Sequence, residues 1–136
     1  MKKENRIKKN EEIAKIVLSK QKVKSDYFFI YYQKNENITR VAVSVSKKIG
    51  NSVKRNHAKR IIRELVRPNI NKFKPANLVV VVKKDLFGVD FEKLTDEMFR
   101  CFELIEKKFS GKMNLSLDFP AIAKPDNISF NFSKIN

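Results

Sequence analysis

Tryptophan is absent from this chain, cysteine and histidine occur once each, and glycine only three times in 136 residues. Each shortage removes a class of function. Cys101 has no partner for an internal disulfide, and together with His57 it cannot supply a four-ligand zinc site. Gly50, Gly88 and Gly111 are scattered, so there is no glycine-rich phosphate loop, and neither a Ser-His-Asp nor a Cys-His arrangement is legible. The longest purely aliphatic run, Leu78 to Val82, is far too short to span a bilayer, and the charged opening MKKENRIKKNEEIAK is followed by no apolar stretch. The expectation is a cytoplasmic protein, neither secreted nor membrane-bound, that contributes no catalytic group and no metal site and has no small-molecule substrate.

Acidic residues are also in deficit. Lys and Arg number 30 against 15 Asp and Glu, a formal charge of +15 with a sequence pI near 10.0. Such an excess points to a large anionic partner. A genome biased toward lysine codons would also raise the charge, but without clustering it, and here it is clustered: SVSKKIGNSVKRNHAKRIIREL, residues 44–65, carries a single acid, Glu64. The remainder suits an ordinary fold, since 42% hydrophobic residues, eleven Phe among them, fill a core of one-domain size.

The pattern predicts six elements in the order αββαβα. NEEIAKIVL (10–18) spaces Ile13, Ile16 and Val17 as a short helix, with Asn10 as its N-cap. DYFFIYYQ (26–33) and RVAVSVS (40–46), separated by KNEN, read as an antiparallel hairpin with Val41, Val43 and Val45 toward the core. A helix follows Gly50-Asn51 and is stopped near Arg67 by Pro68. ANLVVVV (76–82) reads as a buried central strand, and 90–109 as a long helix with Phe91, Leu94, Met98, Cys101, Phe102, Ile105 and Phe109 on one stripe. Cys101 is then a core residue, behaving as a small inert hydrophobe.

At about 100° per residue, Ile61, Ile62, Leu65 and Val66 fall on one face of the middle helix, and Asn56, Lys59, Arg60, Arg63 and Arg67 on the other. A solvated face mixes Glu with Lys. This one stacks like charges four residues apart, Lys59 with Arg63 and Arg63 with Arg67, which destabilises the helix unless an anion neutralises it. Polyanion binding is the better reading. Ala42, Ser44 and Ser46 point away from the core and leave a face too small and polar for a second one, an open trough. Either Tyr27, Phe29 and Tyr31 or Phe28, Ile30 and Tyr32 line it. Aromatics there would stack unpaired bases of single-stranded nucleic acid.

The segment 44–65 resembles the hallmark stretch of the bacterial ribonuclease P protein subunit, an Arg-Asn-Arg motif followed by Lys-Arg and Ile-Arg, and NRIKKNEEIAKIV is similar to that family's opening. The resemblance spans about residues 4–109, a ribonuclease P protein domain at 1–109, and leaves 110–136 as a C-terminal extension. It implies an α+β, single-domain, two-layer sandwich like the second domain of ribosomal protein S5, with a left-handed βαβ crossover against the usual rule. It implies a partner, the ribonuclease P RNA, with which the protein removes 5′ leaders from precursor tRNA. Lys47, Lys48, Asn51, Arg55, Asn56, Lys59, Arg60 and Arg63 match the motif, and with His57 and Arg67 form the expected RNA-subunit surface. The expected 5′-leader surface is Ile13, Val17, Tyr27, Phe29, Tyr31, Ser44, Ser46, Lys59 and Arg63, which turns Tyr27, Phe29 and Tyr31 to the trough. No cofactor is bound tightly by the protein; Mg²⁺ acts through the RNA.

The sequence departs from the family at three points. His57 replaces the second Arg of the motif, so a charge is lost or made pH-dependent. Ile13 and Val17 stand where relatives carry aromatics, and Lys20 where a glycine is usual. In the extension, Leu115, Leu117 and Phe119, then Ile128, Phe130 and Phe132, alternate like strands interrupted by Pro120 and Pro125. Two other functions compete: a ribosomal or chaperone-type RNA-binding protein on a similar fold, distinguished by the RNA that co-purifies, and a basic membrane-surface protein. The second is disfavoured, because the apolar stripe of the middle helix lacks Trp and Phe and is needed for the core.

Overall fold

The central strand dictates the layout. Six of the seven residues of Ala76–Val82 are apolar, and a strand apolar on both sides must be covered on both. In the computed structural model, which describes residues 2–114, this strand, β4, lies inside a four-stranded sheet. The other strands are β1 (Lys22–Lys24), β2 (Phe28–Lys34) and β3 (Arg40–Val45), in the spatial order β1-β2-β4-β3. The helices are α1 (Asn10–Leu18), α2 (Ser52–Val66) and α3 (Phe91–Asn114), with short 3-10 turns at Lys3–Asn5, Lys47–Ile49 and Arg67–Asn69. The chain divides into two units, the first ending at Glu103 and carrying the sheet, the second beginning at Leu104 within α3.

The expected hairpin is not formed. β2 runs antiparallel to β4 and β3 parallel to it, so β4 separates them. An aliphatic strand gains more from two neighbours than from an edge position, and the β3–α2–β4 crossover delivers it there. Thr39, buried at the entry to β3, fixes the junction: its Oγ1 accepts from Ala76 N–H at 3.3 Å and its carbonyl from Asn5 Nδ2 at 2.8 Å. The outer edge of β3 is shielded where Ile7 N–H donates to the Val41 carbonyl at 3.0 Å. Sequence reading also misses β1, which has three residues and a single apolar one, Val23.

Register separates the two faces. Phe28, Ile30, Tyr32, Val41, Leu78, Val80 and Val82 are buried on one. α2 packs beside β3 with Ala58, Ile62, Leu65 and Val66 buried, while Ile61 is half-buried. From α3, Leu94, Met98, Cys101 and Phe102 are buried as expected, and so are Ile105 and Phe109, whereas Phe91 is 45% exposed. Val43 and Val45, expected in the core, are half-buried.

On the other face Ala42 is not open. It is buried with Ile7, Ile16 and Val79, with Ile13, Val17, Tyr31 and Val81 packed around them, so α1 covers this row. Lys9, rather than Asn10, precedes the helix as its N-cap and makes no side-chain capping bond. After α1 the chain reverses through Lys20 at φ +61°, in the left-handed region. That conformation explains why a glycine suits the position, and a lysine there carries steric strain of roughly 1–2 kcal/mol. The alternating segments between Leu115 and Phe132 lie outside the described residues.

Burial of Cys101, helped by the carboxylate of Glu97, pushes its thiol up to about 11. Thiol reagents at pH 8 should therefore label the folded protein very slowly and the guanidinium-unfolded protein at once. Rapid labelling without denaturant would contradict the packing of α3.

Candidate nucleic-acid interface

The Arg-Asn-His segment is set up from its N-terminus. Ser46 Oγ accepts from Lys48 N–H at 3.1 Å, and the turn it caps ends at Gly50. Gly50 has φ +147°, and a Cβ there would stand 2.7 Å from Lys54 Cδ, so only glycine fits. Asn51 Oδ1 then caps α2 by accepting from Lys54 N–H at 3.1 Å. Arg55 Nη1 donates to the Gly50 carbonyl at 3.0 Å, tying the helix back to the turn. Ser46, Asn51 and Arg55 are thus partly committed to local structure.

The cationic stripe is not. Asn56, Arg60 and Arg67 are exposed, Lys59 and Arg63 half-buried, and none of these four cations forms an ion pair among the described residues. Even Glu64, four residues after Arg60, leaves it unpaired. Among the described residues the repulsion expected from the spacing is therefore uncompensated, and a polyanion would relieve it. Lys47 and Lys48 are exposed and extend the positive surface beyond the helix start.

His57 lies off this stripe. Its ring stacks on Phe87 in the loop after β4, with centroids 4.1 Å apart and planes 10° from parallel. Below the pair, Lys54 Nζ is 3.4 Å from Asp85, whose carboxyl lies below its ordinary range mainly because it accepts the Phe87 N–H, with Lys54 and His57 adding.

The second surface is the part of the sheet that α1 leaves uncovered. Tyr31 pairs with Val79, and Val79 with Ala42, in the row under the helix; Phe29, Val81 and Ser44 form the next row. Phe29 and Tyr31 are half-buried, with centroids 5.5 Å apart at 79°, and Tyr27 stands beyond them, also half-buried. Ser44 and Ser46 are exposed, and Ile13 and Val17 half-buried on the α1 side. The aromatic set that faces this surface is therefore Tyr27, Phe29 and Tyr31. Lys59 and Arg63 sit on the helix that packs beside β3, the strand carrying Ser44.

Lysines not recognised from sequence complete the surface. Lys22 Nζ lies 4.9 Å from the Phe29 centroid and 5.4 Å from that of Tyr31, and Lys83 Nζ 5.7 Å from Phe29. Lys84 and Lys93 lie 5.6 and 5.5 Å from the Tyr27 centroid. Each ammonium is within cation–π range of a ring. The sequence signals were the Lys83-Lys84 pair directly after β4 and the lysines flanking Val23, but they become neighbours only once β1, β2 and β4 are in order.

A mixed sheet with helices, a basic helix face without counter-charges and a lysine–aromatic row together define an α+β protein built to hold nucleic acid. The sequence model of the family described as Ribonuclease P matches residues 1–106, and the chain belongs to that family. It is 36% identical to the ribonuclease P protein component of Bacillus velezensis over 115 residues, covering 81% of this chain and 99% of that one. The RNase P protein of Staphylococcus aureus, solved at 2.0 Å, is similar at 27% identity with a TM-score of 0.66, over 75% of this chain and 95% of that chain. The RNase P protein from Thermotoga maritima is similar at 26% identity with a TM-score of 0.67, over 74% and 97%.

A polar tie adds to the apolar packing that holds α1, the wall of the trough. Arg40 on β3 donates from Nη1 and Nη2 to the Glu12 carboxylate on α1 at 2.8 and 3.1 Å. This holds Glu12 below its ordinary value of 4.5, chiefly through the hydrogen bond. A lowered folded pKa stabilises the folded state above the unfolded value and stops doing so as pH falls through the folded one. Glu12→Gln should therefore lower the melting temperature at pH 7, with the difference from the parent vanishing as acid protonates Glu12. A pH-independent difference would show that the ion pair does not tie α1 down.

Proposed function

We propose that this chain is the RNA-binding protein subunit of ribonuclease P and serves it through two separate surfaces. The observation that carries the reading is the lysine–aromatic row on the uncovered part of the sheet, next to a cationic helix face without internal counter-charges. Lys47, Lys48, Asn51, Arg55, Asn56, Lys59, Arg60, Arg63 and Arg67 meet the phosphates of the ribonuclease P RNA. Tyr27, Phe29 and Tyr31 stack the unpaired 5′ leader of precursor tRNA while Lys22, Lys83, Lys84 and Lys93 neutralise its backbone. Ile13 and Val17 give the leader an apolar wall, and Ser44 and Ser46 a polar margin.

Family membership makes the chain part of an endoribonuclease complex. Cleavage belongs to the RNA in this reading, with magnesium carried there. Among the described residues no three of His, Cys, Asp and Glu converge as a metal site, and no step is assigned to a metal held by the protein. The protein raises the local positive charge and fixes the leader, so that the scissile end of the precursor is presented in one position. No helix among the described residues is long and apolar enough to cross a membrane, which suits a cytoplasmic ribonucleoprotein.

The two surfaces separate experimentally. With saturating RNA subunit, Tyr31→Ala should weaken binding of a precursor with a leader of several nucleotides by roughly 1–3 kcal/mol, the worth of one stacked base, and leave mature tRNA unaffected. Arg63→Ala should weaken assembly with the RNA subunit at every leader length. Equal losses on leader-bearing and leaderless substrates in Tyr31→Ala would mean that Tyr31 acts only as packing under α1, and would remove the leader from this surface.

A further inference from the structure

Phe87 lies outside both surfaces and is unusual in its own right. It is a large apolar side chain left 48% exposed at a loop tip. Its ring is nevertheless held in place: one face lies flat on His57, and its backbone N–H donates to Asp85 Oδ1 at 3.0 Å. Asp85 is in turn held by Lys54 on α2. Gly88 follows in the left-handed region at φ +77° and turns the chain back toward α3. A flexible exposed phenylalanine is a solubility cost. A fixed one, backed by a second ring and open on its other side, is a stacking platform.

We propose that the Phe87–His57 pair is a base-stacking site, in which an unpaired nucleobase of the bound RNA lies on the outer face of Phe87. The inference rests on the RNA-binding reading above and extends it to a third contact. Charge favours this occupant. Arg60, one turn along α2 from His57, belongs to the cationic stripe, and Lys83 and Lys84 begin the loop that carries Phe87. A phosphate on either flank sets its base toward the ring, and every base has a face to stack. His57 is the positioning residue: it fixes the plane of Phe87 and, in place of an arginine, trades a phosphate contact for a flat support.

The test uses the full chain with the RNA subunit and, separately, with a single-stranded leader oligonucleotide. Phe87→Ala should weaken binding to the RNA that supplies the base by roughly 5- to 150-fold, as expected for one lost stack, while the dependence of log affinity on log salt keeps its slope, because no cation is lost. Phe87→Tyr should restore affinity and Phe87→Leu should not. Arg60→Ala is the contrast: it should weaken binding and flatten the slope. The chain has no tryptophan, so Phe87→Trp places a single reporter at the site, and its emission should be quenched as the RNA subunit saturates, or only with the oligonucleotide if the leader supplies the base. Undiminished affinity of Phe87→Ala for both RNAs, full affinity in Phe87→Leu, or unchanged Trp emission at saturation with both would overturn the platform while Arg60→Ala still weakens binding. Should Arg60→Ala also have no effect, the RNA-binding reading of α2 fails and the platform with it.

Discussion

The burial of β4 on both faces is the constraint from which the rest follows. Leu78, Val79, Val80 and Val82 are each 1% exposed or less, while Val81 on the second face is half-buried. One side carries the buried residues of β2 and β3, Phe28, Ile30, Tyr32 and Val41, with α2 packed beside β3. The other is closed by α1, whose nine residues span about 14 Å at 1.5 Å each, together with Ile7 from the segment before it. Together they bury Val79 and Ala42, and leave Tyr31, Phe29 and Val81 half-buried and Ser44 exposed. The open surface is thus what remains when a short helix covers part of a sheet, and the lysines of β1 and of the β4–α3 loop border it.

Electrostatics then determine what the exposed surface can hold. Three acids are spent on structure: Glu12 ties α1 to β3, Asp85 fixes the loop beside α2, and Glu97, buried on α3, accepts the Asp26 N–H at 3.2 Å. Among the described residues the stripe on α2 is left without such partners. The molecule therefore carries a positive field over two neighbouring surfaces of different texture, one a ridge of arginines suited to phosphates, the other rings and ammonium groups suited to unpaired bases. Lys22 and Lys83 lie 4.9 and 5.7 Å from the Phe29 centroid, so a base stacking there would exchange a cation–π contact for a stack and free the ammonium for a phosphate.

What the sequence revealed depended on range. The central strand was legible because an aliphatic run has few other uses, and the two faces of α2 because helical periodicity is local. The alternation of Phe28 to Tyr32 divided the aromatics into two sets but could not choose between them; the family resemblance did. Strand order was not legible, because period-two patterning says which face a residue takes and nothing about its neighbour, and Ala76–Val82 lies some thirty residues beyond the strand it separates from β2. For the same reason Lys22 and Lys83 could not be placed over Phe29. The His57–Phe87 stack joins residues thirty positions apart with no repeat to announce it, so His57 read only as a substituted arginine. That Asn51 and Ser46 also cap their own segments was not legible as distinct from their candidate contacts, because both readings use the same small polar side chains.

The central claim is that the uncovered row of the sheet holds the leader while α2 holds the RNA subunit. Placing a photoreactive side chain at Val81, between Phe29 and Ser44, and in a second protein at Arg60, tests it in the assembled complex with separately labelled RNAs. The account predicts that position 81 crosslinks to nucleotides of the 5′ leader and position 60 to the RNA subunit. Crosslinks from both positions to the same RNA, or none from position 81 to a leader long enough to reach it, would contradict it.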